Sequence, residues 1–222
     1  MYNLCQLPID WSATGTMLQG IGTLAGACAV FWGACKASTV WKEQKRLERR
    51  LEMAERILTA THKGRRALRY IRAPMVWAQE LSAAEEYLKE GTNWTQYPEK
   101  RRKHLITAQA LINRLNRYKD EQSALDDCLP MARALFHAEL EEAIEKLNKQ
   151  FWIIQVDIES YVDDWDGTDL EFTKKIRQSM FNIKPNGDEV NEISENIDTC
   201  VATIERVCLP ALRLDPIEQR TE

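Results

Sequence analysis

The chain has 222 residues and a formal net charge of -4, with 30 Lys and Arg against 34 Asp and Glu. This length allows one helical domain of ordinary size beside a membrane segment, and it argues against a second independent domain. The six cysteines form no CxxC pair and have no regular spacing, which argues against a disulfide framework or a zinc site.

Charge is segregated along the chain. Residues 36–72 hold 12 Lys and Arg against 4 Glu, a balance of +8, whereas residues 139–198 hold 6 Lys and Arg against 16 Asp and Glu, a balance of -10. Such blocks indicate that the two parts lie together or that each meets a partner of opposite sign. Membrane lipid is the partner expected for the basic block.

A charge-free run follows a short N-terminus, residues 1–12. Residues 13–35 contain no charged side chain over 23 positions. At about 1.5 Å per residue they span roughly 34 Å as a helix, enough for a bilayer core. We therefore predict a single transmembrane helix at 13–35.

The charges on either side of this run predict its orientation. One acidic residue precedes it, and six basic residues lie in the first 15 positions after it: Lys36, Lys42, Lys45, Arg46, Arg49 and Arg50. The positive-inside tendency predicts a single-pass protein of the inner (cytoplasmic) membrane, with its N-terminus outside and its C-terminal domain in the cytoplasm.

A cleaved signal and a buried core helix are the alternatives for the same run. A signal peptide needs a basic region before the apolar residues, and none is present. Leu24 to Cys28 nearly fits a lipoprotein signal, but its leucine is one place too far from the cysteine. An uncleaved anchor is the favoured interpretation.

Small and polar residues recur within the run at spacings of three and four. They share one helix face: Gly15, Gln19, Gly22, Gly26, Ala29 and Gly33. Gly22-x-x-x-Gly26 is the pattern that allows two membrane helices to approach closely, so self-association through this face is a hypothesis. The alternative is that glycine is simply common in membrane helices.

A basic juxtamembrane helix is predicted at 36–72. Its heptad-like seam consists of Val40, Gln44, Leu47, Leu51, Ala54, Leu58 and Thr61. This spacing is typical of a coiled coil, so we expect the membrane helix to continue as one long helix. Gly64 weakens it, and Pro74 is expected to end it near Arg72.

Three motifs in this region resemble a known group. They are Trp41-Lys42-x-Gln44, the run AERILTA at 54–60, and Arg69-x-x-Arg72-Ala73-Pro74-Met75. Over residues 15–90 the chain is similar to uncharacterised bacterial single-pass membrane proteins, although Ala73 replaces an Asn and Val76 stands near an expected Phe. The resemblance implies an anchor and a helical cytosolic domain, and it implies no activity.

The end of the basic helix is a candidate anion contact. Its side chains are Lys63, Arg65, Arg66, Arg69 and Arg72. They suit acidic lipid, phosphate or nucleic acid, and the alternative is a solvated or internally paired helix face. Nucleic acid is disfavoured because the chain is acidic overall and carries no recognised binding motif.

Residues 73–222 predict a cytosolic helical domain, an antiparallel bundle in an all-α chain. Helices are expected at 78–90, from Pro98 to about Asp127, over the seam from Phe136 to Tyr161, at about 169–180, and from Glu189 to near Pro210. No stretch alternates with period two for long enough to predict a strand.

The motifs of common catalytic sites are absent from the sequence. The acidic loop 163–169 offers carboxylates to a divalent cation but lacks the full EF-hand pattern, and the alternative is a solvated helix end. The three histidines stand alone in the sequence. No phosphate-binding glycine loop, Gly-x-Ser-x-Gly or kinase signature occurs. We therefore predict no enzyme, no metal and no cofactor.

The sequence favours a membrane-anchored interaction or scaffold protein that binds a protein partner or its own copies. The alternative is a membrane-perturbing effector or small channel subunit that assembles through the glycine-rich span. The charge blocks also predict that the chain folds back, so that acidic residues between Glu139 and Asp198 approach the turn from Arg65 to Arg72.

Overall fold

The computed structural model describes residues 11–91, 93–183 and 191–213, with the side chains of 11–22 and of Ala25 left out. The described residues are helical and contain no strand, so the all-α prediction is confirmed. The helices are α1 Trp11–Ile71, α2 Ala78–Lys89, α3 Glu99–Arg117, α4 Lys119–Asp126, α5 Leu129–Leu135, α6 Ala138–Asp163, α7 Leu170–Met180 and α8 Glu192–Arg213, with a 3-10 turn at Trp94–Gln96.

The chain divides into two compact units, Met1–Arg49 and Arg50–Glu222, and the boundary falls within α1. The described side chains along 23–49 are exposed, including Val40 and Leu47 of the predicted seam. From Ala54 onward the same seam is buried in the core of the second unit. The C-terminal part of the basic helix therefore belongs to the bundle.

Among the helical residues that the structure describes, none forms a stretch long and apolar enough to cross a bilayer. The predicted span begins at Ala13, and its side chains as far as Gly22 lie outside the described residues.

The second unit is organised around α6, which packs against α3, α4, α5, α7 and α8. Its apolar side chains recur every three or four residues, which places them on one face of the helix. Those buried are Leu140, Ala143, Ile144, Leu147, Phe151, Ile154, Ile158 and Tyr161. The predicted seam is thus confirmed as the centre of the core, except that Phe136 lies before the helix and is half-buried.

The turn between α6 and α7 contains Gly167 and leads into the N-terminal cap of α7. Gly167 adopts φ +66°, a left-handed conformation that glycine takes without strain. Asp169 then caps α7, because its carboxylate accepts hydrogen bonds from the backbone N–H groups of Glu171 and Phe172, both at 3.0 Å.

The prediction of one continuous helix from Pro98 to about Asp127 is wrong, because the structure has two helices there, α3 and α4. Tyr118 leaves helical geometry at φ -108° and ψ 22°, which separates α3 from α4. Pro130 lies in the first turn of α5, where its missing N–H costs no hydrogen bond. The last helix runs past Pro210 to Arg213, and the start expected at Glu189 lies outside the described residues.

Candidate functional site

The fold brings the end of α1 against α8, as the charge blocks predict. Arg65 Nη2 lies 2.6 Å from Asp198 Oδ1, and the backbone N–H of Asn182 donates to the carbonyl of Arg72 at 2.8 Å. The predicted approach of the acidic block to the arginine turn is therefore confirmed.

Arg72 lies inside the fold, although the sequence suggested an exposed anion contact. Its side chain is 2% exposed. Nε donates to Ser179 O at 2.7 Å, Nη1 to Ser194 Oγ at 3.0 Å, and Nη2 to Asn191 Oδ1 at 2.7 Å and Gln178 O at 3.3 Å. These bonds connect α1 to the end of α7 and the start of α8.

Burial lowers the pKa of Arg72 to about 10, and the nearby charge of Asp157 opposes that shift. Burial also raises the pKa of Asp157, against the hydrogen bond that it accepts from Ser179 and the charges of Lys175 and Arg72. Arg72 still carries its charge at neutral pH, so it contributes a positive potential to its surroundings.

A small pocket of about 70 Å³ lies beside this network. Its lining is Arg65, Arg69, Arg72, Asn182, Ser194, Ile197 and Asp198. Among the described residues, three arginines and one carboxylate therefore line the pocket. Arg66 is exposed on the same helix and does not line the pocket, and Lys63 is likewise exposed outside it.

The basic residues from Lys36 to Arg50 do not converge on a comparable site. Lys45 pairs with Glu48 at 2.6 Å, Lys36 lies 5.6 Å from the ring centre of Trp32, and Arg50 lies 5.3 Å from that of Phe136. The others are exposed: Lys42, Arg46 and Arg49.

The small-residue face is open where its side chains are described. Gly26, Ala29 and Gly33 are exposed, and a Cβ placed on either glycine meets no atom within 4 Å. The remaining members of this face, Gly15, Gln19 and Gly22, fall among the residues whose side chains are left out.

A larger groove of about 1010 Å³ lies between α6, α7 and the start of α8. Asp157, Phe172, Lys175 and Asn191 contribute to its walls, and the buried Gln150 lines it. Gln150 Nε2 donates to Lys146 O at 3.0 Å, whereas its Oε1 accepts no hydrogen bond from the described part of the chain.

The acidic loop serves the local structure. Asp164 is buried and accepts a hydrogen bond from the hydroxyl of Thr173, and Asp169 caps α7. Within the described ranges, no three or more His, Cys, Asp and Glu side chains are grouped to hold a metal ion.

The three histidines lie apart from one another in the sequence, and Cys128, Cys200 and Cys208 are buried. His62 lies 3.4 Å from Glu205, and His104 stacks on Tyr161 with ring centres 4.5 Å apart, where burial lowers its pKa. His137 is the exposed residue that precedes α6. Burial raises the pKa of the buried thiols Cys128 and Cys200, and that of Cys208 to about 12, which favours unreactive thiols.

Arg114 is the important buried residue that sequence reasoning missed. It is 2% exposed and forms two bonds to the Glu80 carboxylate, at 2.6 and 2.9 Å. The hydrogen bond from Arg114 holds the pKa of Glu80 below its usual value, against burial. The available signal was its position three residues after Leu111 on the apolar face of α3.

No protein family model fits the sequence, and no curated protein or solved structure matches the chain.

Proposed function

We propose that this chain is a membrane-anchored helical interaction protein, with residues 13–35 as its anchor and the bundle as its binding part. One observation carries the proposal. Leu24, Val30, Phe31 and Trp32 are 68 to 74% exposed within a charge-free run. Exposed apolar side chains that lie together mark a contact with a membrane or another protein.

The change from an uncharged run to a basic segment favours a membrane over a soluble partner for residues 13–35. Lys36 follows the charge-free run directly, and five more basic residues follow within 15 positions. Each basic side chain near an anionic leaflet contributes about 1 kcal/mol, so this block favours a cytoplasmic location for the C-terminal part.

The exposed heptad positions favour self-association or a helical partner. Val40 is 60% exposed and Leu47 is 52% exposed, whereas Ala54 and Leu58 on the same seam are buried. An apolar seam at this spacing buries its side chains when a second helix lies against it. The proposal assigns no catalysis, since the sequence carries no catalytic motif.

Carbonate extraction of membranes from a bacterial host that expresses the full chain tests the anchor. We expect the wild-type chain to stay with the membranes and the V30K/F31K variant to be released, because two charges at the centre of a span cost about 5 to 7 kcal/mol. W152K is the matched control, since Trp152 is an exposed aromatic residue of the bundle. Release of the wild type, or equal release of both variants, contradicts the anchor.

Orientation is measured with a C-terminal reporter that is active only in the cytoplasm. Neutral replacements at the six basic positions from Lys36 to Arg50 are expected to weaken the N-out orientation. A wild-type fusion whose C-terminal reporter is inactive contradicts the N-out orientation.

A membrane-perturbing or channel-forming role is the second candidate. The exposed face formed by Gly26, Ala29 and Gly33 favours this role. A Cβ added at either glycine would meet no atom within 4 Å, so a second helix has room to approach. Dye release from vesicles that contain the full chain, abolished by G26L/G33L, supports this role over the interaction role.

A further inference from the structure

We propose that the arginine pocket between the end of α1 and the start of α8 binds a phosphate monoester group. The pocket lies within the bundle, and the proposal does not depend on the membrane anchor. Its charge is unbalanced, because Arg65, Arg69 and Arg72 line it and Asp198 is the one acidic side chain beside them among the described residues. A phosphate monoester carries about -1.5 to -2 charges at pH 7, which matches the excess.

The pocket offers donors that the fold does not use. Arg69 is exposed, and its guanidinium forms no hydrogen bond or ion pair with a described residue. Asn182 Oδ1 accepts from the hydroxyl of Ser194 at 2.9 Å, which leaves its Nδ2 available to donate. A planar guanidinium and an amide N–H₂ are donors suited to several oxygens of one phosphate.

The rest of the pocket is held rigidly. Arg72 uses four hydrogen bonds to connect α1 with α7 and α8, so its charge and the neighbouring Ser194 have fixed positions. The volume of about 70 Å³ is several times the roughly 15 Å³ that one water needs. A compact oxyanion therefore fits, while the larger part of its molecule stays outside.

Asp198 competes for the same site. Its carboxylate lies 2.6 Å from Arg65 Nη2, and both side chains are partly exposed. A phosphate that enters the pocket displaces this carboxylate or accepts bonds from Arg65 beside it. Removal of the Asp198 charge is therefore expected to strengthen phosphate binding, an effect that a purely structural role of the pair does not predict.

The test is calorimetric titration of the full chain in neutral detergent with glycerol phosphate, at constant ionic strength. We expect R69Q to weaken binding about tenfold, the loss of one charge-assisted hydrogen bond, and D198N to tighten it several-fold. R66Q is the matched control, because Arg66 is exposed on the same helix outside the pocket. It removes the same charge and is expected to change the affinity less than twofold.

The same titration with a short-chain phosphatidate distinguishes a lipid source from a soluble one. Binding of either probe with the R69Q and D198N pattern supports the phosphate site. No binding by the wild type, an equal loss in R66Q and R69Q, or unchanged affinity in D198N overturns it. Circular dichroism confirms that the three variants remain folded, which is expected because each replaced side chain is exposed or partly exposed.

Discussion

Arg114 holds the segment between α1 and α2 through one buried side chain. Besides Glu80, its guanidinium donates to the carbonyls of Ala73 at 3.1 Å and Met75 at 2.7 Å. A carbonyl in a loop has no helical partner, so a side-chain donor such as Arg114 satisfies it instead. Arg114 therefore decides the path of the chain between the two helices.

Replacement of Arg114 by Met is expected to cost about 3 to 5 kcal/mol of unfolding free energy. The change leaves the half-buried Glu80 carboxylate and several carbonyls without their donor. Urea unfolding of the full chain in detergent measures the cost. R117M, which removes an exposed arginine from the same helix, serves as control and should change stability by no more than about 0.5 kcal/mol. Equal costs for the two variants argue against this role of Arg114.

At the scale of the helix, Gly64 is the position where α1 packs closely against Leu125 of α4. α1 continues through it to Ile71, so the glycine does not end the helix. A Cβ at this position lies 2.9 Å from Leu125 Cδ1, and Leu125 is fully buried in α4. The absence of a side chain at Gly64 thus allows the close approach of α4 to α1.

Gly64→Ala is expected to destabilise the bundle by about 1 to 2 kcal/mol. The gain in helix propensity is about 1 kcal/mol, and the strain of an overpacked core exceeds it. Thermal unfolding measures the change. In an L125A background the clashing atom is gone, so G64A should become neutral or stabilising there. A stabilising effect in the wild-type background contradicts the packing role.

The break between α3 and α4 likewise depends on a tertiary contact. The N–H of Tyr118 donates to Leu115 O at 3.0 Å, a tightened turn. Its ring packs edge-on against Tyr70 with ring centres 5.5 Å apart. No Gly or Pro marks this position, so the break is invisible to a reading of local sequence signals.

In the whole molecule, the opposed charge blocks meet largely at the surface. Arg65 of the basic block pairs with Asp198 of the acidic block, and both side chains are at least one-third exposed. His62 and Glu205, which are not among the charges counted in those blocks, form a second exposed contact between α1 and α8. Exposed pairs of this kind contribute about 0 to 1 kcal/mol each. Burial of apolar side chains and the Arg72 network therefore provide most of the stability of this junction.

The comparison of R72M with R65Q tests this distribution. R72M is expected to lower the unfolding free energy by about 2 to 4 kcal/mol, because Ser179 O and Asn191 Oδ1 lose a buried donor. R65Q is expected to lower it by less than about 1 kcal/mol. Chemical unfolding of both variants in the same detergent measures the difference. A loss in R65Q as large as that in R72M contradicts the assignment.

Periodicity and charge predicted much of the second unit from the sequence alone. Local patterns determine the seam of α6, the bounds of α2 and α7 and the end of α1 before Pro74, because each of these depends on neighbours in sequence. The approach of Arg65 to Asp198 followed from the segregation of charge, which is a long-range property that the sequence still displays.

Only the tertiary structure decided which polar residues are buried and which cations remain free. Arg72 and Arg69 belong to one basic turn, yet the first is enclosed by carbonyls from α7 and the second lines an open pocket. The sequence does not distinguish Arg114 from other helical arginines, because its partner Glu80 lies on a different helix, α2. The sequence by itself determined the helices and their apolar faces, because these depend on spacing along one chain segment. The partners of each polar group come from segments distant in sequence, and their positions are defined only when the helices have packed.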